Sequence, residues 1–433
     1  MSIAQEVFYK KTYGCRCGFW RTWQRLRRYA QNHPEELQIV AVAEPNPSRL
    51  ASAAQWHNIP AEKQYTTWQE FAAQPKMADF VILATQDNMH YEPALALIEK
   101  GYHLLLEKPM APTPRECKEI TEAAERKGVK VVVCHVLRFS PFWRAVKHLV
   151  DTDRLGKIMT IMGAENVGHI HQSHSYVRGP WRNTAESSCM IMAKCCHDMD
   201  ILQWIVGEKC TSVQSFGTLS HFTRENQPAG APERCIDGCP HADTCYYNAV
   251  KLYTDPSSEL WSWGRKAAAQ TVDEPTEEQI WEALKTGPYG HCVYACDNDV
   301  VDHQVVNLEY ESGCTASFTM TAFNKGGRFI RIYGTKGELI SSMDQSTLQL
   351  YSFATDTWEN IAVSEYGNDI ASGHGGGDTG IMQDALSLLR GETPSNSICE
   401  VRTSYENHIT GFAAEQSRLE NRVVSIAEYE KNL

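Results

Sequence analysis

A chain of 433 residues, 42% apolar and 22% charged, is too long for one ordinary core and predicts two packed domains. Its formal net charge of −12 excludes a polyanion binder built on a basic face, so no nucleic-acid partner is expected; the one basic cluster, Arg21 to Arg28, is short. No apolar run reaches bilayer-spanning length, and Met1 to Lys11 lacks the apolar stretch of a secretory signal. No membrane association and a cytoplasmic location are therefore expected. The 15 cysteines, odd in number and scattered, read as reduced thiols rather than a disulfide scaffold.

In chain order, the first stretch, Tyr13 to Arg28, reads as no buried strand: bulky Trp20, Arg21 and Trp23 crowd it. Leu37 to Ala43 is a short apolar run of the kind that forms a buried parallel strand, as are Asp79 to Thr85, His103 to Leu106 and Lys130 to Cys134. Between them, Tyr91 to Lys100 carries Ala94, Leu97 and Ile98 at helical spacing and stops at Gly101. Thr113 to Lys127 is helical, with a Thr113-x-x-Glu116 capping pattern, Pro114 at the first helical position and Gly128 beyond the end. Strands alternating with helices predict a doubly wound parallel sheet over residues 1–150.

After Leu155-Gly156 the strand candidates alternate in polarity: Ile158 to Ala164, Thr211 to Phe216, Val305 to Glu311, Thr315 to Phe323 and Arg328 to Tyr333. They predict an α+β domain over 151–433 with a mostly antiparallel, one-face-open sheet, interrupted by one helix from about Met190 to Val206. An open face of this kind commonly pairs with its own copy, so a homo-oligomer is expected. Residues 223–294, rich in Cys, Pro and Trp with weak periodicity, read as an insertion without a core of its own.

The sharpest chemical signal is Glu107-Lys108-Pro109 at the carboxyl end of a predicted parallel strand, the edge where open α/β sheets bind ligands. A lysine there can hydrogen-bond a substrate hydroxyl and stabilise negative charge developing on its oxygen; the alternative is a solvated loop lysine. Thr85, Gln86 and His90 follow the neighbouring strand. Glu44 ends the second one, where a carboxylate accepts ribose hydroxyls and favours NAD over NADP. His174, Arg178, Trp181 and Arg182 mix hydrogen-bonding and aromatic groups suited to a sugar, or to an anionic substituent clamped by the arginines; the alternative is a loop held by those arginines. Asp299, Asp302, His303 and His374 are secondary candidates of the same kind.

Glu107-Lys108-Pro109, His135 to Pro141, Leu155 to Ile158, Trp181-Arg182, Gly334 to Glu338 and the helix bearing His197-Asp198 stand in an order that resembles the glucose–fructose oxidoreductase/inositol dehydrogenase/MocA (Gfo/Idh/MocA) family. The resemblance runs from about Pro34 to the end. It implies a Rossmann domain, a second domain with an open sheet, a nicotinamide cofactor and a small sugar or cyclitol substrate. It maps the catalytic lysine onto Lys108 and the general acid/base onto His197, with Arg138 beside the cofactor. An imidazole suits proton removal from a hydroxyl at neutral pH, although a histidine among apolar helix residues is more often a core residue. Many relatives carry an aspartate one turn before this histidine; here it is Ala193, with Lys194 adjacent as a partial substitute or a solvent-facing side chain.

The thiols Cys235, Cys239 and Cys245, with Cys292 downstream, have a spacing that can converge on one structural zinc ion; reduced loop cysteines and an iron–sulfur cluster are the alternatives.

A dinucleotide fold also needs a glycine-rich turn after its first strand, where Gly14 and Gly18 are the only glycines at hand. Codons for Gly14 to Arg28, read one nucleotide later, can encode Ala-Val-Val-Ala-Gly-Ser-Gly-Gly-Arg-Gly-Asn-Ala-Phe-Gly-Ala, a strand and fingerprint joined directly to Tyr29-Ala30. That points to a frameshift and to impaired cofactor affinity in the chain as written. The expected activity is NAD-dependent oxidation of a secondary hydroxyl of a sugar, sugar derivative or cyclitol. The rivals are an NAD-dependent glycosidase that oxidises transiently, and a non-catalytic binding protein with an impaired cofactor site.

Overall fold

The computed structural model describes residues 12–18, 29–271, 273–367 and 373–433. The chain divides into two compact units, one of Met1–His148 with Val363–His408, the other of Leu149–Ala362 with Ile409–Leu433. The sequence reading gives everything after residue 150 to the second domain; the return of Val363–His408 to the first is the difference. Its physical basis is a set of bonds to the last strand and its neighbours. Val133 N donates to Cys399 O at 3.0 Å, and His135 Nε2 lies 2.8 Å from Ser404 Oγ.

Among the described residues the first unit holds six strands: β1 (Thr12–Gly18), β2 (Leu37–Ala43), β3 (Gln64–Tyr65), β4 (Phe80–Ala84), β5 (His103–Leu106) and β6 (Val131–Val133). Their order is β3-β2-β1-β4-β5-β6, parallel throughout, with the order reversing between β1 and β4. All five residues of β4 are buried, as expected of a strand covered on both faces. The helix Pro114–Lys127 is capped as its sequence predicts: Thr113 Oγ1 accepts Glu116 N at 3.3 Å, and Gly128 closes it at φ +65°. Such a left-handed residue favours glycine.

β1 is a correction. The stretch in which the sequence shows no buried strand forms a seven-residue strand at the sheet centre, with Gly14 paired to Ile39 and Phe80. Ladder hydrogen bonds come from the backbone, so two parallel neighbours can recruit a segment whose side chains do not announce a strand.

The second unit carries nine strands: β7 (Ile158–Asn166), β8 (Cys210–Thr218), β9 (His303–Tyr310), β10 (Thr315–Thr321), β11 (Gly327–Gly334), β12 (Gly337–Ser342), β13 (Thr347–Ser352), β14 (Thr357–Ala362) and β15 (Val424–Ser425). They run in the order β14-β13-β12-β11-β7-β10-β9-β8-β15; only β7 and β10 pair in parallel. The helix Cys196–Val206 packs on one face, where a Cβ on Gly163 would meet Leu202 and Phe318. Met162 and Phe216 remain exposed on the other. The single helix expected over 190–206 is two, Met190–Ala193 and Cys196–Val206, broken at Lys194-Cys195.

The insertion is also corrected. It forms helices Ala249–Thr254, Trp263–Ala269 and Glu277–Thr286, and Leu252, Tyr253, Leu260, Ile280 and Leu284 bury together as a core. Short helices with few apolar positions each leave little periodicity to read. Among the described residues no helix is long and apolar enough to cross a membrane.

Candidate active site

In the first unit the predicted groups gather at the carboxyl ends of the strands. Glu44 directly follows β2, is buried, and accepts Asn46 N at 3.2 Å through Oε1. Asn46 in turn caps the helix Pro47–His57 by accepting Arg49 N at 3.1 Å. Burial pulls the Arg49 guanidinium down, and the nearby Glu44 carboxylate pushes it back up. Arg49 is thus a cation close to Glu44 that the sequence reading passes over. Thr85 and Gln86 follow β4; Thr85 Oγ1 donates to Met89 O at 3.0 Å and Gln86 opens the 3-10 turn Asp87–Met89.

His90 is fully buried, with Nδ1 2.7 Å from Pro109 O and Nε2 3.1 Å from Thr85 O. It therefore couples the turn after β4 to Glu107-Lys108-Pro109 after β5 and acts as a positioning residue. His408, missed by the sequence reading, fixes the same loop from the other side by accepting Met110 N at 2.9 Å through Nε2. Nothing local marks it: it is one more histidine on a helix, Val401–Glu420. Lys108 is half-buried, and its own N–H donates to Glu107 Oε2 at 3.1 Å. The Cys134 thiol lies close by; burial, then the negative charges of Glu107 and Asp378, push it up, so it stays protonated. Arg138 is buried, with Nη1 donating to Ile398 O at 3.2 Å.

This edge fits a dinucleotide at its ribose end, where Glu44 stands at the end of β2 beside the point where strand order reverses. Gly14 does not belong to a phosphate turn, because it is a ladder residue inside β1; Gly18 is the last residue of that strand, paired with Ala84. Residues 19–28, on which the rest of the disrupted-loop reading falls, lie outside the described residues.

In the second unit His197 is buried in the first turn of the helix Cys196–Val206. Its neighbour Asp198 takes a two-pronged contact from Arg328, Nε to Oδ1 at 2.8 Å and Nη2 to Oδ2 at 3.2 Å. Arg328 also reaches Glu165 at 2.6 Å, and Lys194 pairs with Glu165 at 3.1 Å. Burial alone would pull Arg328 down, but the carboxylates of Asp198 and Glu165 outweigh it and push the guanidinium up. Two cations and two carboxylates thus pin the start of the helix that bears His197. Lys194 does not point to solvent; its ammonium belongs to this network. Glu165 and Arg328 pair directly across β7 and β11. A charged residue at an inward position of an otherwise apolar strand is the signal that would have found them.

The predicted sugar contacts separate. His174 is buried among insertion aromatics, with Nδ1 2.6 Å from Tyr253 Oη and its ring stacked on Tyr289 at 4.7 Å. Arg178 is fully buried; its Nε donates to His291 O and its Nη2 to Tyr247 O, both at 2.7 Å. His174 Nδ1 and Arg178 Nε and Nη2 thus bind the insertion, and both residues are buried, an arrangement that favours the alternative of a held loop over substrate contact. Arg182 grips Asp297 at 2.7 and 3.1 Å and Glu186 at 3.0 Å, leaving it less to offer an anionic substrate. Trp181 is half-buried, 6.1 Å from the Tyr176 ring. Asp302 and Asp299 accept backbone N–H groups, of Ser220 and His221 and of Thr184 respectively. The His374 side chain lies outside the described residues. Cys235, Cys239, Cys245 and Cys292 line one cavity in the insertion.

Residues 17–135 match the family model GFO_IDH_MocA, described as an oxidoreductase family with an NAD-binding Rossmann fold, and residues 147–425 match its C-terminal alpha/beta domain. The Bacillus subtilis protein YteT is 24% identical over 73% of this chain and 73% of its own length. Inositol 2-dehydrogenase 2 of Saccharopolyspora erythraea is 30% identical, but over only 30% of this chain and 36% of that protein. The WlbA dehydrogenase of Bordetella pertussis, solved with NADH and UDP-GlcNAcA, superposes with a TM-score of 0.67 at 17% identity, covering 96% of this chain and 98% of its own. The two family models between them span both units, and the chain accordingly belongs to the Gfo/Idh/MocA oxidoreductase family.

Proposed function

We propose that this chain oxidises a secondary hydroxyl of a sugar, sugar derivative or cyclitol, with NAD as partner. The observation that carries the reading is the fixed position of Lys108: its loop sits at the carboxyl end of β5, bound through Pro109 O by His90 and through Met110 N by His408. A bound nicotinamide supplies the acceptor for the hydride leaving carbon. Lys108 holds the hydroxyl oxygen and stabilises its developing negative charge. His197 takes the hydroxyl proton, its helix held by the Asp198–Arg328 contact. Glu44 accepts the ribose hydroxyls and favours NAD over NADP, while Thr85, Gln86 and Arg138 line the cofactor edge. Trp181 offers an aromatic surface to the substrate, with Arg182 beside it.

The substrate class is supported by the inositol dehydrogenase relative and by the neighbour solved with NADH and UDP-GlcNAcA. Exposed Met162 and Phe216 on the open sheet face support a homo-oligomer. A second reading, a binding protein without turnover, is favoured by the lack of a glycine-rich fingerprint over Cys15 to Arg28. NADH formation measured over a panel of inositols, hexoses and uronic acids tests the first reading. Turnover of any of these supports it. Substrate binding without NADH formation, even in a version carrying an intact glycine-rich loop, overturns it in favour of the second.

A further inference from the structure

The insertion holds four thiols that the proposed reaction does not use. Cys235, Cys239, Cys245 and Cys292 all line one cavity, together with Val293 and Tyr294. Three chain segments bring them there. The bridge between Arg234 and His291, with Cys235 N donating to Gly290 O at 3.0 Å and Cys292 N to Glu233 O at 2.8 Å, sets the first and last thiols on adjoining strands of chain. Turns fix the other two, Ala242 N to Cys239 O at 3.2 Å and Cys245 N to His241 O at 2.9 Å.

His241 also lines the cavity, its Nε2 2.9 Å from Ala229 O. Cys296 directs its Sγ to Cys292 O at 3.3 Å and does not line the cavity. The donor set is therefore four thiols, with the His241 ring beside them. The buried guanidinium of Arg178 comes within 3.9 Å of Cys235 Sγ, placing positive charge where thiolates would gather.

The spread of the sulfurs separates two kinds of centre. One zinc ion with bonds of about 2.3 Å draws its four sulfurs to within about 4 Å of one another. Among the described residues, no three of these thiols have their sulfur atoms all within 4.8 Å of one another. A cubane of iron and sulfide fills a cavity and spreads its four thiolates over its corners. We propose that Cys235, Cys239, Cys245 and Cys292 hold an iron–sulfur cluster that fastens the insertion to the π-helical turn Ser173–Arg178. The apolar wall of Val293, Ala242 and Pro232 shields it from water.

The test uses the full chain, purified anaerobically from iron-replete cells, with iron, acid-labile sulfide and zinc measured per chain. About four irons and four sulfides, with visible charge-transfer absorption, are expected. Cys239→Ser should lose both and Cys296→Ser should keep both. One zinc per chain with no visible absorption would replace the cluster by a single ion. A folded chain that takes up no iron and sulfide on anaerobic reconstitution, with all four thiols open to thiol reagents, would remove the site. The stoichiometry of the unsubstituted chain decides the matter even if Cys239→Ser fails to fold.

Discussion

His408 Nε2 accepts the backbone N–H of Met110 at 2.9 Å, across 298 residues of chain. The same imidazole donates through Nδ1 to Ser404 O at 2.7 Å, which fixes the tautomer and leaves Nε2 as the acceptor. Removing it strands a buried N–H two residues from Lys108. We expect His408→Ala to lower stability by roughly 1–3 kcal/mol, the usual cost of an unsatisfied buried donor. Turnover should fall with it, and chemical denaturation with steady-state kinetics would check both. Unchanged stability would mean that the Met110 loop finds another acceptor.

Lys108→Ala and His197→Ala should each lower turnover roughly a hundredfold or more, the scale of lost electrostatic anchoring or proton transfer. The measurement needs a version with an intact glycine-rich loop. Near-unchanged kcat in either variant takes that residue out of the mechanism.

On the proposed reading, Glu44 sets the cofactor preference. NAD should bind better than NADP, and Glu44→Ser should reverse the order, because Arg49 remains nearby to meet a 2′-phosphate. Dissociation constants for both nucleotides in both proteins are the readout. Equal binding in the parent chain would show that Glu44 is not the ribose partner.

Arg328 bridges two buried carboxylates, and Arg328→Met should cost roughly 3–5 kcal/mol by leaving Asp198 uncompensated and Glu165 with Lys194 alone. The deficit should depend on pH. Without Arg328, burial and the charge of Glu165 both push Asp198 above its unfolded-state range. A carboxyl raised on folding contributes its stability at low pH and loses it as pH rises. The variant should therefore be most impaired at neutral and alkaline pH, and a stability curve against pH would show it.

Much of the fold is legible in the sequence where one local pattern dominates. β2 and β5 match their apolar runs residue for residue, and the Thr113 cap and Gly128 stop bound their helix as the residues dictate. What escapes is what distant chain segments decide. β1 forms on the strength of its neighbours, and β12 to β14 alternate too weakly to stand out. In the site, Lys108 and Glu44 declare themselves by standing at strand ends. Arg178 and His174 look like ligand-binding groups, because the sequence cannot show that the insertion folds over them. His408 and Arg328 act through partners far along the chain, which no local motif records.

The N-terminal segment gives the remaining prediction. With β1 in place, the cost of residues Cys15 to Arg28 falls on nucleotide binding more than on the sheet. The chain as written should bind NAD weakly, and a counterpart carrying Ala-Val-Val-Ala-Gly-Ser-Gly-Gly-Arg-Gly-Asn-Ala-Phe-Gly-Ala in place of Gly14 to Arg28 should bind it at micromolar concentrations or better. Calorimetric titration of the pair decides. Micromolar binding by the chain as written would mean that its basic segment forms a phosphate site of its own.

The division of the first unit between Met1–His148 and Val363–His408 has a consequence for how the protein is made. Ribosomes deliver the six parallel strands early, yet Cys399, Ser404 and His408 emerge only after the whole nine-stranded sheet except β15. The nucleotide half cannot mature as a finished domain while the chain lengthens. It must wait, with the Lys108 loop held from the His90 side, for His408, which follows Met110 by 298 residues. A message truncated between β6 and Cys399 would yield a product that contains all six described strands of the Rossmann sheet and still lacks the His408 contact to the Lys108 loop. Limited proteolysis of stalled nascent chains would register that step as a late gain of protection around Lys108.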